Sequence, residues 1–158
     1  ARLDSLTELS NRRGAYEEFD ANFSQPGIPH CLVMCDIDHF KSVNDTYGHE
    51  YGDEVLIALV KMMKEQLPSD YLMARWGGEE FLFAANEPLD EVYPKIESLR
   101  RTISNHAFIA GNASIHVTLT FGMAEYVDGD GVIEAISKAD NRLYSGKMAQ
   151  RNCTVIDG

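Results

Sequence analysis

Apolar residues along the chain recur at two spacings, which predict helices interleaved with strands. The run from Cys31 to Ile37 is β-prone, too short for a helix and preceded by Pro29, so it predicts the first strand. Downstream, a stripe with a period of 3.6 residues predicts a long helix that Pro68 closes. The stripe consists of Val55, Leu56, Leu59, Val60, Met63 and Leu67.

Four other segments have helical spacing. The segment after Ser10 predicts a leading helix, and residues 41–47 predict a short helix that Gly48 stops. Residues 88–105 predict a helix with a proline in its first turn, where proline is tolerated. Residues 132–147 predict a last helix. Its expected apolar face comprises Ile133, Ile136, Leu143 and Tyr144, with Asp140 on the same face.

Glycine pairs and turns separate the remaining strands. The strand-like runs 71–76 and 80–85 flank Gly77 and Gly78, which favours a hairpin. Residues 108–110 and 114–125 are predicted to pair with each other, and 151–156 predict an edge strand. Strands that include hairpins but alternate with helices predict an α/β (α+β) fold. Its centre would be a mixed, mostly antiparallel sheet flanked by helices.

Composition limits the partners. With 158 residues and 44% hydrophobic content, one compact domain over residues 1–158 is expected, and a start at Ala1 rather than Met suggests a piece cut from a longer protein. A net charge of −11 argues against nucleic acid and anionic membrane as partners. The longest apolar run is far too short to span a bilayer and no signal peptide opens the chain, so we expect a cytoplasmic domain without direct membrane contact.

The three cysteines, Cys31, Cys35 and Cys153, do not suggest disulfides, because their number is odd and two lie in one apolar run. Buried thiols are the favoured interpretation. The alternative is a metal site formed with His30 or His39.

Two acidic pairs lie at predicted strand ends. Asp36 and Asp38 end the first strand, and Glu79 and Glu80 follow the glycine turn. If the two strands are neighbours, these side chains converge into a cluster of hard oxygen ligands that suits Mg²⁺. Taken alone, such residues are more often solvated turn residues than ligands.

Six segments occur in the order found in the GGDEF family of diguanylate cyclases, and together they resemble that family over nearly the whole chain. The segments are residues 4–13 (DSLTELSNRR), 36–41 (DIDHFK) with Asn44 and Asp45, 47–53 (YGHEYGD), 75–81 (RWGGEEF), 139–147, and Arg151 with Asn152. The resemblance implies a palm-like nucleotidyl-cyclase fold. It also implies an enzyme that condenses two GTP molecules into cyclic di-GMP and pyrophosphate.

The resemblance assigns the acidic residues to a metal centre. Asp36 and Glu79, with the carbonyl of Ile37, would bind Mg²⁺, for which Mn²⁺ is able to substitute. Glu80 would bind a second ion or accept a proton, and these two roles stay open. The metal would screen the carboxylates from the triphosphate and favour deprotonation of a ribose 3′-hydroxyl. Asp36, Glu79 and Glu80 are therefore the expected catalytic residues.

The resemblance also assigns the substrate-binding residues. Asn44 and Asp53 would read guanine, since a carboxylate accepts from N–H groups that adenine lacks. Asp53 could alternatively cap or begin the long helix. The glycine pair lets the backbone lie close to the nucleotide. The remaining implied contacts are Lys41, Lys147 and Arg151 with the phosphates, and His39 and Phe40 beside them.

Each chain would hold one GTP, so catalysis would need a homodimer, and an upstream sensory domain is the other expected partner. Three rivals stay open: a degenerate receptor for GTP or cyclic di-GMP, a cyclase that also accepts ATP, and an interaction domain. We further expect Asp140 to pair with Arg12 or Arg13, since an unpaired carboxylate on an apolar face is costly.

Overall fold

The computed structural model describes residues 1–158 apart from the side chain at position 130. Five α-helices and seven strands follow one another along the chain, with a 3₁₀ turn at Gly129–Gly131. The helices are α1 (Arg12–Asn22), α2 (Phe40–Tyr47), α3 (His49–Gln66), α4 (Leu89–Ser104) and α5 (Val132–Ala149). The strands are β1 (His30–Ile37), β2 (Leu72–Arg75), β3 (Glu80–Ala85), β4 (Phe108–Ala110), β5 (Ala113–Ile115), β6 (Leu119–Tyr126) and β7 (Thr154–Val155).

A five-stranded sheet in the order β2-β3-β1-β6-β7 forms the centre of the molecule. The first three pairings are antiparallel and the last, between β6 and β7, is parallel, so the predicted mixed and mostly antiparallel sheet is confirmed. Strand β1 lies in the middle and is buried along its whole length. This position explains its continuous apolar sequence, which lacks the alternation of a half-exposed strand.

The two faces of the sheet carry separate apolar cores. Val33 and Cys35 of β1 pack towards α3 and α4, whereas Leu32 and Met34 pack towards α1 and α5. Successive side chains of a strand point to opposite faces, so residues with the parity of Leu32 face α1 and α5. Asp36 and, on β3, Glu80 fall on that face. The thiols of Cys31 and Cys35 are buried, as predicted.

The prediction of one strand over 114–125 is wrong. Residues 113–115 form β5 and pair with β4 in a separate two-stranded sheet, whereas β6 begins at Leu119 and pairs with β1. The predicted edge strand over 151–156 shrinks to Thr154 and Val155.

Helix α5 does not bury the face that its large residues suggested. Its buried residues are mostly small, while Ile133 and Tyr144 are exposed. The reason lies in β6, where Gly122 allows the helix backbone to approach the sheet. A β-carbon at this position would overlap the carbonyl oxygen of Ala139.

None of the helices in the described part of the chain combines the length and apolarity needed to cross a lipid bilayer.

Candidate active site

The two acidic pairs meet where β1 and β3 lie side by side. In the antiparallel register Asp36 is directly opposite Glu80, and the Ile37 amide donates to the Glu79 carbonyl at 3.1 Å. The strands are therefore neighbours, which is the condition on which the predicted convergence depended. Asp36 is buried, at 4% exposure, whereas Glu79 and Glu80 are half-buried.

Lys147, near the end of α5, reaches this acidic cluster. Its Nζ donates to Asp36 Oδ2 at 2.5 Å. Burial raises the pKa of Asp36 and outweighs the hydrogen bond and charge of Lys147, which lower it, while Glu79 and Glu80 add to the rise. The hydrogen bond to Asp36 in turn raises the pKa of Lys147. One ammonium group thus faces three carboxylates, and the local charge stays negative.

These residues suit a hard divalent cation. Carboxylate oxygens and a backbone carbonyl are the ligands that Mg²⁺ takes in proteins, and Asp36 already directs an oxygen at a positive charge, that of Lys147. Within the described residues, however, no group of three or more His, Cys, Asp or Glu side chains has metal-holding geometry. This finding applies equally to the alternative metal site of the cysteines with His30 or His39. Binding of Mg²⁺ would therefore require the carboxylates of the cluster to draw closer together.

The glycine turn is shaped by Glu80. The amides of Trp76 and Gly77 both donate to the Glu80 carbonyl, at 2.8 and 3.2 Å. A β-carbon on Gly77 would come within 2.6 Å of Glu80 Oε1, whereas one on Gly78 would meet open space. Gly77 is therefore needed for the Glu80 side chain to fold back over the turn, and Gly78 leaves the surface clear.

Arg75 fastens the turn to the N-terminal segment, a contact that the sequence did not predict. Its guanidinium donates to the Gly78 carbonyl at 2.8 and 3.2 Å and to the Asp4 carboxylate at 3.2 and 3.3 Å. Burial raises the pKa of Asp4, but hydrogen bonds from Thr7 and Arg75 prevail and lower it overall.

The predicted pairing of Asp140 with Arg12 or Arg13 is wrong. Asp140 is exposed on α5, and within the described residues it takes part in no ion pair. Arg12 instead donates to the Trp76 carbonyl at 2.9 Å and stacks 4.5 Å from the centre of its ring. The N-terminal segment is therefore held by Asp4 and Arg12 through the glycine turn.

The predicted guanine readers lie on adjacent helices. Asn44 of α2 is half-buried, and its side-chain oxygen lies against Gly52 of α3, where a β-carbon would overlap it. Asp53 follows on α3 and is exposed. The alternative role of Asp53 as a helix cap is wrong, because α3 begins at His49 after Gly48.

The other predicted substrate-binding residues have differing exposure, and most of them do not contact the acidic cluster. His39 is exposed and adopts a left-handed conformation (φ 56°) before α2, whereas Phe40 is buried. Lys41 is exposed and pairs with Asp45 at 2.8 Å. Arg151 is exposed in the turn after α5, and its side chain has no ion pair within the described residues. Of the three predicted phosphate cations, only Lys147 contacts the acidic cluster.

Comparisons with known proteins point to one family. A family model described as "Diguanylate cyclase, GGDEF domain" matches residues 1–153. The chain belongs to the GGDEF family. Among curated GGDEF proteins, diguanylate cyclase VdcA of Vibrio cholerae is 36% identical over 156 residues, covering 96% of this chain and 46% of the relative. Diguanylate cyclase DgcZ of Escherichia coli is 34% identical over 161 residues, covering 99% of this chain and 54% of the relative.

Solved GGDEF structures have the same fold. Diguanylate cyclase SiaD of Pseudomonas aeruginosa, solved with its activator SiaC, superposes with a TM-score of 0.91 at 34% identity, covering 99% of this chain and 62% of that one. The GGDEF domain of DgcB from Caulobacter crescentus, solved with c-di-GMP, gives a TM-score of 0.88 at 31% identity, covering 99% and 95%. The chain spans about half the length of the curated relatives it matches.

Proposed function

We propose that this chain is a diguanylate cyclase catalytic domain that condenses two GTP molecules into cyclic di-GMP with release of two pyrophosphates. The observation that carries the proposal is Asp36 opposite Glu80 at the end of two central strands, with Lys147 bonded to Asp36. The same chain retains both glycines and both glutamates of the RWGGEEF segment. Relatives matched over nearly all of this chain are named diguanylate cyclases.

In the proposed site, Asp36, Glu79 and the Ile37 carbonyl would hold Mg²⁺ or Mn²⁺, with Glu80 as ligand of a second ion or as proton acceptor. Bound there, the ion would neutralise phosphate charge and make the 3′-hydroxyl easier to deprotonate. Asp36 is buried away from solvent, and a charge in such an environment interacts strongly with a cation.

The chain's own side chains would orient the nucleotide. Lys147 and Arg151 provide cations for the β- and γ-phosphates, with Lys41 able to join them only on leaving Asp45. Asn44 on α2 and Asp53 on α3 would read the guanine edge, and His39 and Phe40, at the start of α2, would contact the nucleotide as well. Gly78 leaves the surface of the turn clear for the nucleotide, and Gly77 would do so where the Glu80 side chain moves aside.

One chain would bind one GTP. Each 3′-hydroxyl must attack the α-phosphate of the other nucleotide, so the reaction requires two copies related by a twofold axis. We therefore propose residues 1–158 as one catalytic domain that works as a homodimer, with a sensory region elsewhere in a longer protein.

The test is incubation with Mg²⁺ and GTP, or ATP, followed by chromatography of the products. We expect cyclic di-GMP from GTP. Asp36→Asn and Glu80→Gln should each lower turnover by about 10²-fold or more without lowering the melting temperature below that of the wild type. Asp20→Asn and Glu65→Gln, which change exposed acids on α1 and α3, are the matched controls.

Nucleotide binding by the wild type without product would identify a receptor and refute the enzyme. Retention of more than about a tenth of the turnover by Asp36→Asn would refute the assigned metal centre.

A further inference from the structure

The second aspartate of the DIDHFK segment is bound differently from the first. Asp38 follows β1 directly and is 4% exposed. Its Oδ1 accepts from the Thr120 hydroxyl at 2.7 Å, and its Oδ2 accepts from the Thr118 hydroxyl at 2.7 Å and the Asn152 amide at 3.0 Å. A carboxylate has about four acceptor sites. Three are occupied by protein donors, so Asp38 has little capacity left for a metal ion.

The backbone that Asp38 holds is strained. Arg151 and Asn152 are consecutive non-glycine residues with φ of 55° and 46°. The left-handed region is sterically unfavourable for such residues and persists only where the surroundings enforce it. Here the Arg151 amide donates to the Gly146 carbonyl at 2.9 Å, and the Asn152 amide donates to both Asp38 and the Thr120 hydroxyl.

Helix α4 holds the same turn from its other side. Arg100 donates to the backbone carbonyl and the side-chain oxygen of Asn152 at 3.1 and 2.9 Å. Glu97 holds Arg100 in place with a 2.7 Å ion pair and accepts from Thr154 at 2.7 Å. Hydrogen bonds from Arg100, and to a lesser degree from Thr154, lower the pKa of Glu97 in spite of its burial. The left-handed turn is thus fixed between the end of β1 and α4.

This fixed turn carries Arg151 four residues beyond Lys147, the lysine that contacts Asp36. Arg151 is exposed, and its side chain forms no ion pair with the residues that the structure describes. A guanidinium without a partner among the described residues, on a turn held by six hydrogen bonds of Arg151 and Asn152, is available for a ligand anion.

We propose that Asp38 is a positioning residue that fixes the Arg151–Asn152 turn and so directs the Arg151 guanidinium at the phosphates of bound nucleotide. The inference rests on the proposed function for the identity of that nucleotide. Asp38 acts through the backbone amide of Asn152, and it neither touches the substrate nor binds the metal.

Binding of 3′-deoxy-GTP with Mg²⁺, measured by calorimetry, tests the role without turnover, because this analogue lacks the attacking hydroxyl. Asp38→Ala should weaken binding by about tenfold, the loss expected for one arginine–phosphate contact. Asp38→Asn, which still offers an oxygen to the Asn152 amide, should stay within about threefold of wild type.

A double-mutant cycle separates positioning from a general loss of structure. Arg151→Ala should lower the affinity for 3′-deoxy-GTP about tenfold in the wild type but less than about threefold in Asp38→Ala, where the arginine is already displaced. Lys147→Ala is the matched control, because Lys147 is held by Asp36 and its effect should be equal in both backgrounds.

Asn152, which is half-buried, provides a second test, which applies even if Asp38→Ala does not fold. Asn152→Gly can adopt the left-handed φ and keeps the amide that Asp38 accepts, whereas Asn152→Ala is strained there. Both lose the side-chain contact with Arg100. We expect tighter 3′-deoxy-GTP binding by the glycine variant than by the alanine variant.

Three results would overturn the inference. The first is an equal loss of 3′-deoxy-GTP affinity in Asp38→Asn and Asp38→Ala. The second is a loss of affinity from Arg151→Ala that is as large in Asp38→Ala as in the wild type, and the third is equal affinity of the two Asn152 variants. Wild-type protein that binds 3′-deoxy-GTP but forms no cyclic di-GMP from GTP would refute the proposed activity and leave this comparison intact. Absence of binding by the wild type would refute both.

Discussion

Replacing Lys147 by methionine should strengthen the binding of a free divalent ion while weakening that of nucleotide. Lys147 Nζ donates to Asp36 Oδ2 at 2.5 Å, so the ammonium competes with a metal for this carboxylate. The side chain of Lys147 is 37% exposed and that of Asp36 is 6% exposed, and an ion pair with one partner this exposed is worth about 1 kcal/mol. Removing the competitor should therefore raise Mn²⁺ affinity by about fivefold without nucleotide.

Mn²⁺ is the suitable probe, because its electron paramagnetic resonance signal distinguishes free from bound ion. Lys41→Met is the matched control, since Lys41 pairs with Asp45 on the exposed side of α2. We expect its Mn²⁺ affinity to equal that of the wild type. In the same Lys147→Met protein, 3′-deoxy-GTP should bind about tenfold more weakly because a phosphate contact is lost. Equal or weaker Mn²⁺ binding by Lys147→Met than by the wild type would refute the reasoning.

Three further predictions follow from the site. Burial raises the pKa of Asp36 above 3.8, so the stability contributed by its neutral form is present below that value and lost as pH rises through the folded pKa. Asp36→Asn should therefore be more stable than wild type at pH 7, with the difference in unfolding free energy shrinking towards pH 4; a constant difference would contradict this. Asn44→Ala and Asp53→Ala should each lower the GTP-to-ATP preference by about tenfold, measured by competition binding, and unchanged preference in both would place the base elsewhere. The resemblance to the GGDEF family also implies a product-binding RxxD motif shortly before the RWGGEEF segment, in which Asp70 matches the aspartate. Leu67 stands where the arginine is expected and is 4% exposed, so calorimetry should detect no tight cyclic di-GMP binding. A submicromolar affinity that Asp70→Ala abolishes would disprove this.

The acidic cluster could be predicted because it depends on few facts. Asp36 ends a buried strand and Glu80 begins another, so their meeting required only that the two strands be neighbours. The apolar run of β1 and the glycine pair before β3 can both be recognised from the local sequence. Contacts between distant segments cannot be predicted in this way. Asp4 and Arg75 are 71 residues apart, and nothing in either segment indicates the other.

The errors have a different origin. Residues 114–125 keep an alternating apolar pattern without a glycine or proline before Gly122, so no local feature indicates that the strand breaks before Leu119. Beside this break, the Thr118 and Thr120 hydroxyls donate to Asp38 at the end of β1, a long-range contact that the local pattern does not show. On α5, large residues suggested one buried face, but Gly122 favours small residues such as Ala139. A prediction that gives most weight to large side chains misses an interface in which the backbones of a helix and a strand approach closely.

The electrostatics of the site explain why metal and nucleotide should depend on each other. A triphosphate carries about four negative charges at neutral pH, and in the proposed site it would lie close to Asp36, Glu79 and Glu80 on a chain of net charge −11. Lys147 cannot offset that repulsion by itself, because its ammonium already bonds to Asp36. Asp36 would hold a divalent ion, whose charge would lower the repulsion, and Lys147 would then be free to bind phosphate. We therefore expect 3′-deoxy-GTP to bind poorly in EDTA and Mg²⁺ to bind poorly without nucleotide.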